Sequence, residues 1–227
     1  MVAAEPMEFP GILSRCTGAR PAAFPVDWAR FARLGEHEVA LVANGAGAQR
    51  AGSAVKSALE HFSAEAIIST GFCGALDPAL HIADVVVGTA VLEGARSFAA
   101  LHPEAAPAHH TGSVCSVNHI VGSSQEKSEL RNSGASAVEM EAGGVARVAA
   151  AHCIPFYCIR VVTDLAGEDM ANDFNRALRP DGHFATISIL RGALRNPWLR
   201  LPELFRLRNR CVQAARVLGD FIADCRF

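Results

Sequence analysis

Between residues 38 and 164, short β-branched runs take turns with alanine-rich helical stretches, and this alternation constrains the fold more than any other feature of the chain. "EVALVAN" (38–44) precedes helix-like "QRAGSAVKSALEHF" (49–62), and "AEAIISTG" (64–71) and "ADVVVGTAVL" (83–92) follow. Helix-like "SSQEKSELRN" (123–132) and "EMEAGGVARVAAAH" (139–152) then lead into "IPFYCIRVVTD" (154–164). Strands rejoined through intervening helices predict an α/β domain whose central sheet is mainly parallel and covered by helices. "VAAEP" reads as the end of a first strand. Beyond Asp164 the chain turns to loop and helix, with "DFNRAL", "DGHFATISILRGAL" and "PELFRLRNRCVQAARVLGDFIADC" set apart by proline or glycine. A length of 227 residues suits one domain, 1–227, in which 191–227 form a helical, arginine-rich C-terminal segment.

Half of the residues are hydrophobic and the net charge is -2, which excludes disorder and any general attraction to nucleic acid. A small ligand is expected. The seven cysteines are scattered and never form C-x-x-C, so they read as reduced thiols rather than disulfides or zinc ligands. No charged and apolar leader opens the chain and no apolar run reaches the roughly 18 residues of a membrane span, so a cytoplasmic location is expected. Neither a metal nor a cofactor is expected: His102, His109 and His110 lie in "ALHPEAAPAHHTG" without metal-ligand spacing, and read as a loop over the pocket.

In sheets of this kind ligands gather at the carboxyl ends of the strands. "NGAGAQRAG" (44–52) follows a strand and opens a helix, where its glycines either admit a ligand or make a tight turn. In "STGFCGALDPAL" (69–80), Gly71 and Gly74 remove Cβ atoms where something comes close, or mark a bulge. Asp164 ends an apolar strand, after Thr163, where desolvation raises a carboxyl pKa; an N-cap is the alternative. "SAVEMEAGGVARVAA" (136–150) sets Glu139 and Glu141 into an otherwise apolar run at a spacing of two, which points them to different sides of a helix and at least one of them inward. Glu139 fits a helix-start acid better than Glu141 does.

Taken together, "STGFCGAL", "AVEMEA" and "RVVTDLAGE" resemble the nucleoside phosphorylase and nucleosidase superfamily, and most of all its methylthioadenosine/S-adenosylhomocysteine nucleosidase branch. The resemblance runs to about Leu178. It implies a mixed central sheet flanked by helices, a homodimer, and a small-molecule nucleoside as ligand. By the same resemblance, Glu141 accepts hydrogen bonds from the ribose hydroxyls, Met140 packs on the sugar, and Asp164 is the general acid that protonates the leaving purine. Glu139, Thr163 and Gly71 belong to the matching motifs and are carried over as substrate-binding residues. Glu8 falls where nucleosidases keep the carboxylate that activates water, with Glu5 as the fallback. Phosphorylases hold phosphate with arginines, one of them just before the glycine block; here that position is Ser69, so water is the expected nucleophile. Phe174 matches a lid aromatic, and Ile120 and Val121 fall where the backbone reads the purine edge. Phe72 replaces the usual serine and implies a more apolar 5′ pocket.

The tail "LRPDGHFATISIL…NPWLRLPELFRL" is similar to hopanoid-associated members, which act on adenosylhopane. Between Arg191 and Arg216 the chain holds Arg191, Arg195, Arg200, Arg206, Arg208, Arg210 and Arg216 against the single acid Glu203, interleaved with Trp198, Leu199, Leu201, Leu204, Phe205 and Leu207. This is the composition of an interfacial segment on anionic lipid, and equally of a C-terminal helix with its arginines in solvent. The expected function is hydrolysis of the N-glycosidic bond of a 5′-substituted adenosine. A phosphorylase, or a non-catalytic nucleoside-binding or membrane-associated protein, are the alternatives.

Overall fold

The computed structural model describes residues 1–105 and 107–227. The chain enters through β1 (Val2–Ala3), a 3-10 turn (Pro6–Glu8) and α1 (Pro10–Ser14), then lays down β2 (Cys16–Pro21), β3 (Trp28–Leu34) and β4 (His37–Ala43) as an antiparallel meander. Helix α2 (Ala48–Leu59) leads to β5 (Ile67–Ala75), β6 (Val85–Glu93), β7 (Arg96–Ala99), β8 (Glu104–Ala105) and β9 (His110–Ser116). Next come α3 (Ser124–Arg131), β10 (Ala135–Glu139), α4 (Ala142–Ala151) and β11 (Phe156–Asp164). Helices α5 (Phe174–Ala177), α6 (Thr186–Ala193) and α7 (Pro197–Asp224) follow, and β12 (Cys225–Arg226) pairs with β8.

The sheet runs β10-β9-β6-β11-β5-β1-β4-β3-β2, and β10 also pairs with β5. Five strands, β5, β11, β6, β9 and β10, therefore close on themselves while the others extend the sheet as an open wing. Pairs β5–β11, β6–β9 and β9–β10 are parallel, whereas β6–β11 and β5–β10 are antiparallel, so the sheet is mixed and partly closed. The meander and the β5–β10 closure give it more antiparallel character than the strand and helix alternation implies.

Side chains alternate across β11 with the period of a strand. Phe156, Cys158 and Val162 face a core with α2 and α4, while Tyr157, Ile159 and Val161 face a second core with α1 and α7. Helices therefore cover both faces. Two expectations are corrected here. "EMEAGGVARVAAAH" is not helical from its start: Glu139 ends a strand, Glu141 is the N-cap residue, and the helix begins at Ala142. The histidine loop does not cover the pocket, because His102 packs on His109 and His109 on Phe221 of α7; its residue 106 lies outside the described residues. Among the described residues, no helix is long and apolar enough to cross a membrane.

Candidate active site

A cavity of about 700 Å³ opens at the carboxyl ends of β5, β10 and β11. This is within the range of about 300–1,000 Å³ of small-molecule sites. Its floor presents Glu8, Phe72, Met140, Glu141, Thr163 and Asp164; its roof presents Phe174, Phe184, Ile189, Leu190, Leu204 and Leu207 from α5 to α7 and their connections. Acids line one side and apolar side chains the other.

Asp164 ends β11, and its Oδ2 accepts a hydrogen bond from Lys127 Nζ of α3 at 2.6 Å. The Lys127 side chain is fully buried and also donates to the Leu165 carbonyl oxygen at 2.7 Å, so its ammonium is held by oxygens alone. Thr163 Oγ1 lies 3.2 Å from Asp164 Oδ1. Burial raises the Asp164 pKa, and Lys127 opposes the rise. Gly74 makes this packing feasible, since a Cβ there would come within 2.7 Å of Asp164 Oδ2.

Glu8 closes the 3-10 turn and is also buried. Its Oε2 accepts from the Glu5 N–H and its Oε1 from the Phe72 N–H, each at 2.8 Å. Burial pushes its pKa up against these two hydrogen bonds. Gly71, at φ +137°, leaves the room, because a Cβ there would overlap Glu8 Oε1. The two glycines of "TGFCGA" thus each seat one carboxylate. Glu5 also lines the cavity, with its Oε1 engaged 3.1 Å from His183 Nδ1, while His183 Nε2 lies 2.9 Å from Asp27 Oδ2.

Glu139 and Glu141 divide the floor between them. Glu139 Oε2 accepts from Arg160 Nη2 at 2.6 Å and from the N–H groups of Glu141 and Ala142 at 2.8 Å, which ties the start of α4 to a buried guanidinium. Its Oε1 is buried with no hydrogen-bond partner among the described residues. Arg160 Nη2 also donates to Ser69 Oγ at 2.6 Å. Glu141 makes no cap hydrogen bond; its Oε1 accepts from the Gly47 N–H at 2.9 Å, the service that the "NGAGAQ" turn provides. Burial, and then the charge of Glu139, push Glu141 up to about 8.

Ile120 and Val121 line the cavity, with Val121 buried. Their segment is stitched to the roof: Met170 N–H donates to the Gly122 carbonyl oxygen at 2.7 Å, and the Ser124 N–H donates to Asp169 Oδ1 at 2.6 Å. Glu203, the single acid between Arg191 and Arg216, accepts from the Ala171 N–H at 2.7 Å and the Asn172 N–H at 2.8 Å. Arg210 makes a two-pronged pair with Glu168 at 2.7 and 2.8 Å. Phe174 meets Phe184 edge to face in the same roof.

The sequence reading missed Lys127, which sits in the most polar helix of the chain and gives no sign of its burial. Arg160 did give a sign. A charge inside the buried strand "FYCIRVVTD" requires a partner, and Glu139 is the partner.

An arrangement with one buried carboxyl beside an ammonium, a second buried carboxyl on main-chain donors and a third raised toward neutrality suits proton transfer at two points around a polar ligand. The chain is 26% identical over 195 residues to the 5′-methylthioadenosine/S-adenosylhomocysteine nucleosidase of Mycobacterium tuberculosis (strain CDC 1551 / Oshkosh), covering 63% of this chain and 76% of that one. It is 29% identical over 163 residues to the enzyme of the same name from Staphylococcus epidermidis, covering 59% and 72%. Its fold matches the solved structure of the Streptococcus pneumoniae MTA/SAH nucleosidase in complex with 8-aminoadenine, with a TM-score of 0.74 at 17% identity, over 98% of this chain and 96% of that one. The family profile described as the Phosphorylase superfamily matches residues 28–108 and 93–182, and the chain belongs to that superfamily.

Proposed function

We propose that this protein hydrolyses the N-glycosidic bond of a 5′-substituted adenosine. The observation that carries the reading is the convergence of Glu8, Glu141 and Asp164 on the floor of one cavity whose roof presents Phe174, Phe184, Ile189, Leu190, Leu204 and Leu207. The relatives named 5′-methylthioadenosine/S-adenosylhomocysteine nucleosidase support it.

Breaking the bond leaves an electron pair on the purine and positive charge on the sugar. Asp164, raised by burial, delivers a proton to the departing base, and Glu141 binds the ribose hydroxyls and faces the growing charge. Water forms the new bond to the anomeric carbon and gives its proton to Glu8. Met140 and Phe72 pack on the sugar, Phe174 covers the nucleoside, and Ile120 and Val121 meet the base. Thr163 orients Asp164, Gly71 leaves space for Glu8, and the unpartnered Oε1 of Glu139 supports a contact to substrate or water. Ser69 is taken up by Arg160, which leaves it a poor phosphate ligand. No metal or cofactor enters the scheme.

The apolar roof suits a bulky 5′ group, methylthio or larger and up to an adenosylhopane-like tail. Outside it, α6, its C-cap and α7 expose Ile187, Leu194, Trp198 (90% exposed) and Phe205 (67%) among arginines, which supports peripheral contact with anionic lipid by an otherwise cytoplasmic protein. The homodimer implied by the superfamily belongs to the same proposal, and analytical ultracentrifugation reads it directly.

The test incubates the protein with methylthioadenosine, S-adenosylhomocysteine, inosine and a 5′-alkyl adenosine, each with and without phosphate, and follows free base. Base release from the adenosines without phosphate is expected. A strict phosphate requirement would make the enzyme a phosphorylase, and binding without release would make it a non-catalytic binder. Absence of binding to anionic vesicles at low salt would remove the membrane contact.

A further inference from the structure

Both main-chain groups of Ile120 are held by one side chain. The Ile120 N–H donates to Asn175 Oδ1 and Asn175 Nδ2 donates to the Ile120 carbonyl oxygen, each at 2.7 Å. Ile120 lines the cavity, whereas Asn175 is an exposed residue of the four-residue helix α5, directly after Phe174. A carboxamide offers one acceptor and two N–H donors on adjacent atoms of a planar group. The edge of adenine formed by N1 and the 6-amino group presents the same acceptor and donor in a plane.

We propose that Asn175 is an internal mimic of adenine that competes with the base for the Ile120 peptide, the edge at which the family resemblance places the purine. The inference rests on the adenosine reading above and makes it more specific. A base that takes this edge must displace Asn175, and Asn175 carries Phe174 with it. Base recognition is thereby coupled to the position of the roof: releasing the carboxamide frees one of the stitches between residues 120–124 and 169–175, while Met170 to Gly122 and Ser124 to Asp169 keep the two segments adjacent. Asn175 acts as a specificity-determining residue through competition. Only a ligand that offers both an acceptor and a donor in the right order recovers what the displaced carboxamide loses. Hypoxanthine carries its donor and acceptor in the opposite order along that edge, so it meets Ile120 only by turning over, which takes its N7 away from Asp164.

The experiment is calorimetric binding of free adenine and of N6,N6-dimethyladenine, which has no amino proton to donate, to the wild-type protein, Asn175→Ala and Asn175→Asp. Removing two competing hydrogen bonds should tighten adenine by about ten-fold in Asn175→Ala. Asn175→Asp keeps the shape, cannot donate, and should move the same way by less. Dimethyladenine should gain nothing. Equal gains for both bases would mean that the substitution merely opens the pocket, and no gain for adenine would mean that the base is read elsewhere; either result overturns the proposal. Melting curves of both variants establish that they are folded. Because binding is measured without turnover, Asn175-dependent adenine affinity in a protein that releases no base would sink the hydrolase reading alone. Base release with Asn175-independent affinity would sink this inference alone.

Discussion

Lys127 Nζ and Asp164 Oδ2 lie 2.6 Å apart, and the lysine side chain that makes this contact has no exposure to solvent. Burial pushes the aspartate toward its neutral form while the ammonium pulls it toward the charged one. The acid assigned to the leaving base is therefore poised by a residue on another helix. In Lys127→Met the opposing influence is gone, so the Asp164 pKa should climb and the alkaline limb of the pH profile of kcat/KM should move up. Stability should fall by about 3–5 kcal/mol where Asp164 is ionised, and by less in acid, where the carboxyl takes a proton. Melting curves across pH together with a pH–rate profile check both.

Asp164→Asn keeps an oxygen for Lys127 but has no proton to give. Base release should drop by about 10²–10⁴-fold. Far-ultraviolet circular dichroism should be unchanged, and wild-type turnover would refute the role.

Glu141 stands at about 8 in the folded chain, pushed there by burial and by Glu139. The folded state thus holds this proton more tightly than the unfolded chain, so the Glu141 contribution is most favourable below the ordinary carboxylate range and is lost as pH rises toward about 8. Glu141→Gln removes the penalty and retains an oxygen for the Gly47 N–H. The variant should melt at or above the wild-type temperature at pH values above about 8 and should lose most of its turnover. A variant that melts well below the wild type at alkaline pH would contradict the assignment.

Gly74→Ala would place a Cβ within 2.7 Å of Asp164 Oδ2, and Gly71→Ala would both overlap Glu8 and force alanine to φ +137°. The first should lower kcat with little loss of stability. The second should lower kcat and also cost about 1–3 kcal/mol through backbone strain. Parallel measurement of kcat and denaturant midpoint separates the two.

His183 links Glu5 and Asp27. Burial disfavours its charge, yet the hydrogen bonds to both carboxylates win and hold its pKa above the usual histidine value. Its contribution is complete below about pH 6.5 and disappears as pH rises through the raised value. The melting difference between wild type and His183→Ala should therefore shrink from pH 6 toward pH 9; a constant difference would show that the ring matters only for packing.

Much of this was legible along the chain. Asp164 and Glu141 were marked by charge where the surroundings are apolar, and β4, β6 and β11 follow the expected strands closely, whereas β5 starts three residues later and runs on through the glycine stretch to Ala75. The less legible parts depend on distant partners. "ASAVE" is too short and too rich in helix-forming neighbours to declare itself a strand, and it becomes β10 because β9 and β5 offer it ladders. That shift moved Glu139 off the helix and onto Arg160. Lys127 is buried because β11 ends where α3 passes, a relation with no local signature. The polar strands β2 and β9 were equally quiet, since half-exposed strands carry weak apolar patterns.

Gly71 and Gly74 belong to one strand, three positions apart, so the seats of Glu8 and Asp164, the acids proposed to serve water and base, are spaced by about 10 Å of strand. The interval is a length gauge built from covalent bonds and sheet ladders, indifferent to what lies overhead. On the proposed assignment, a change in α5 to α7 that admits a longer or shorter 5′ group leaves the distance between the two acids untouched, so substrate range and chemistry become separately heritable parts of a single fold.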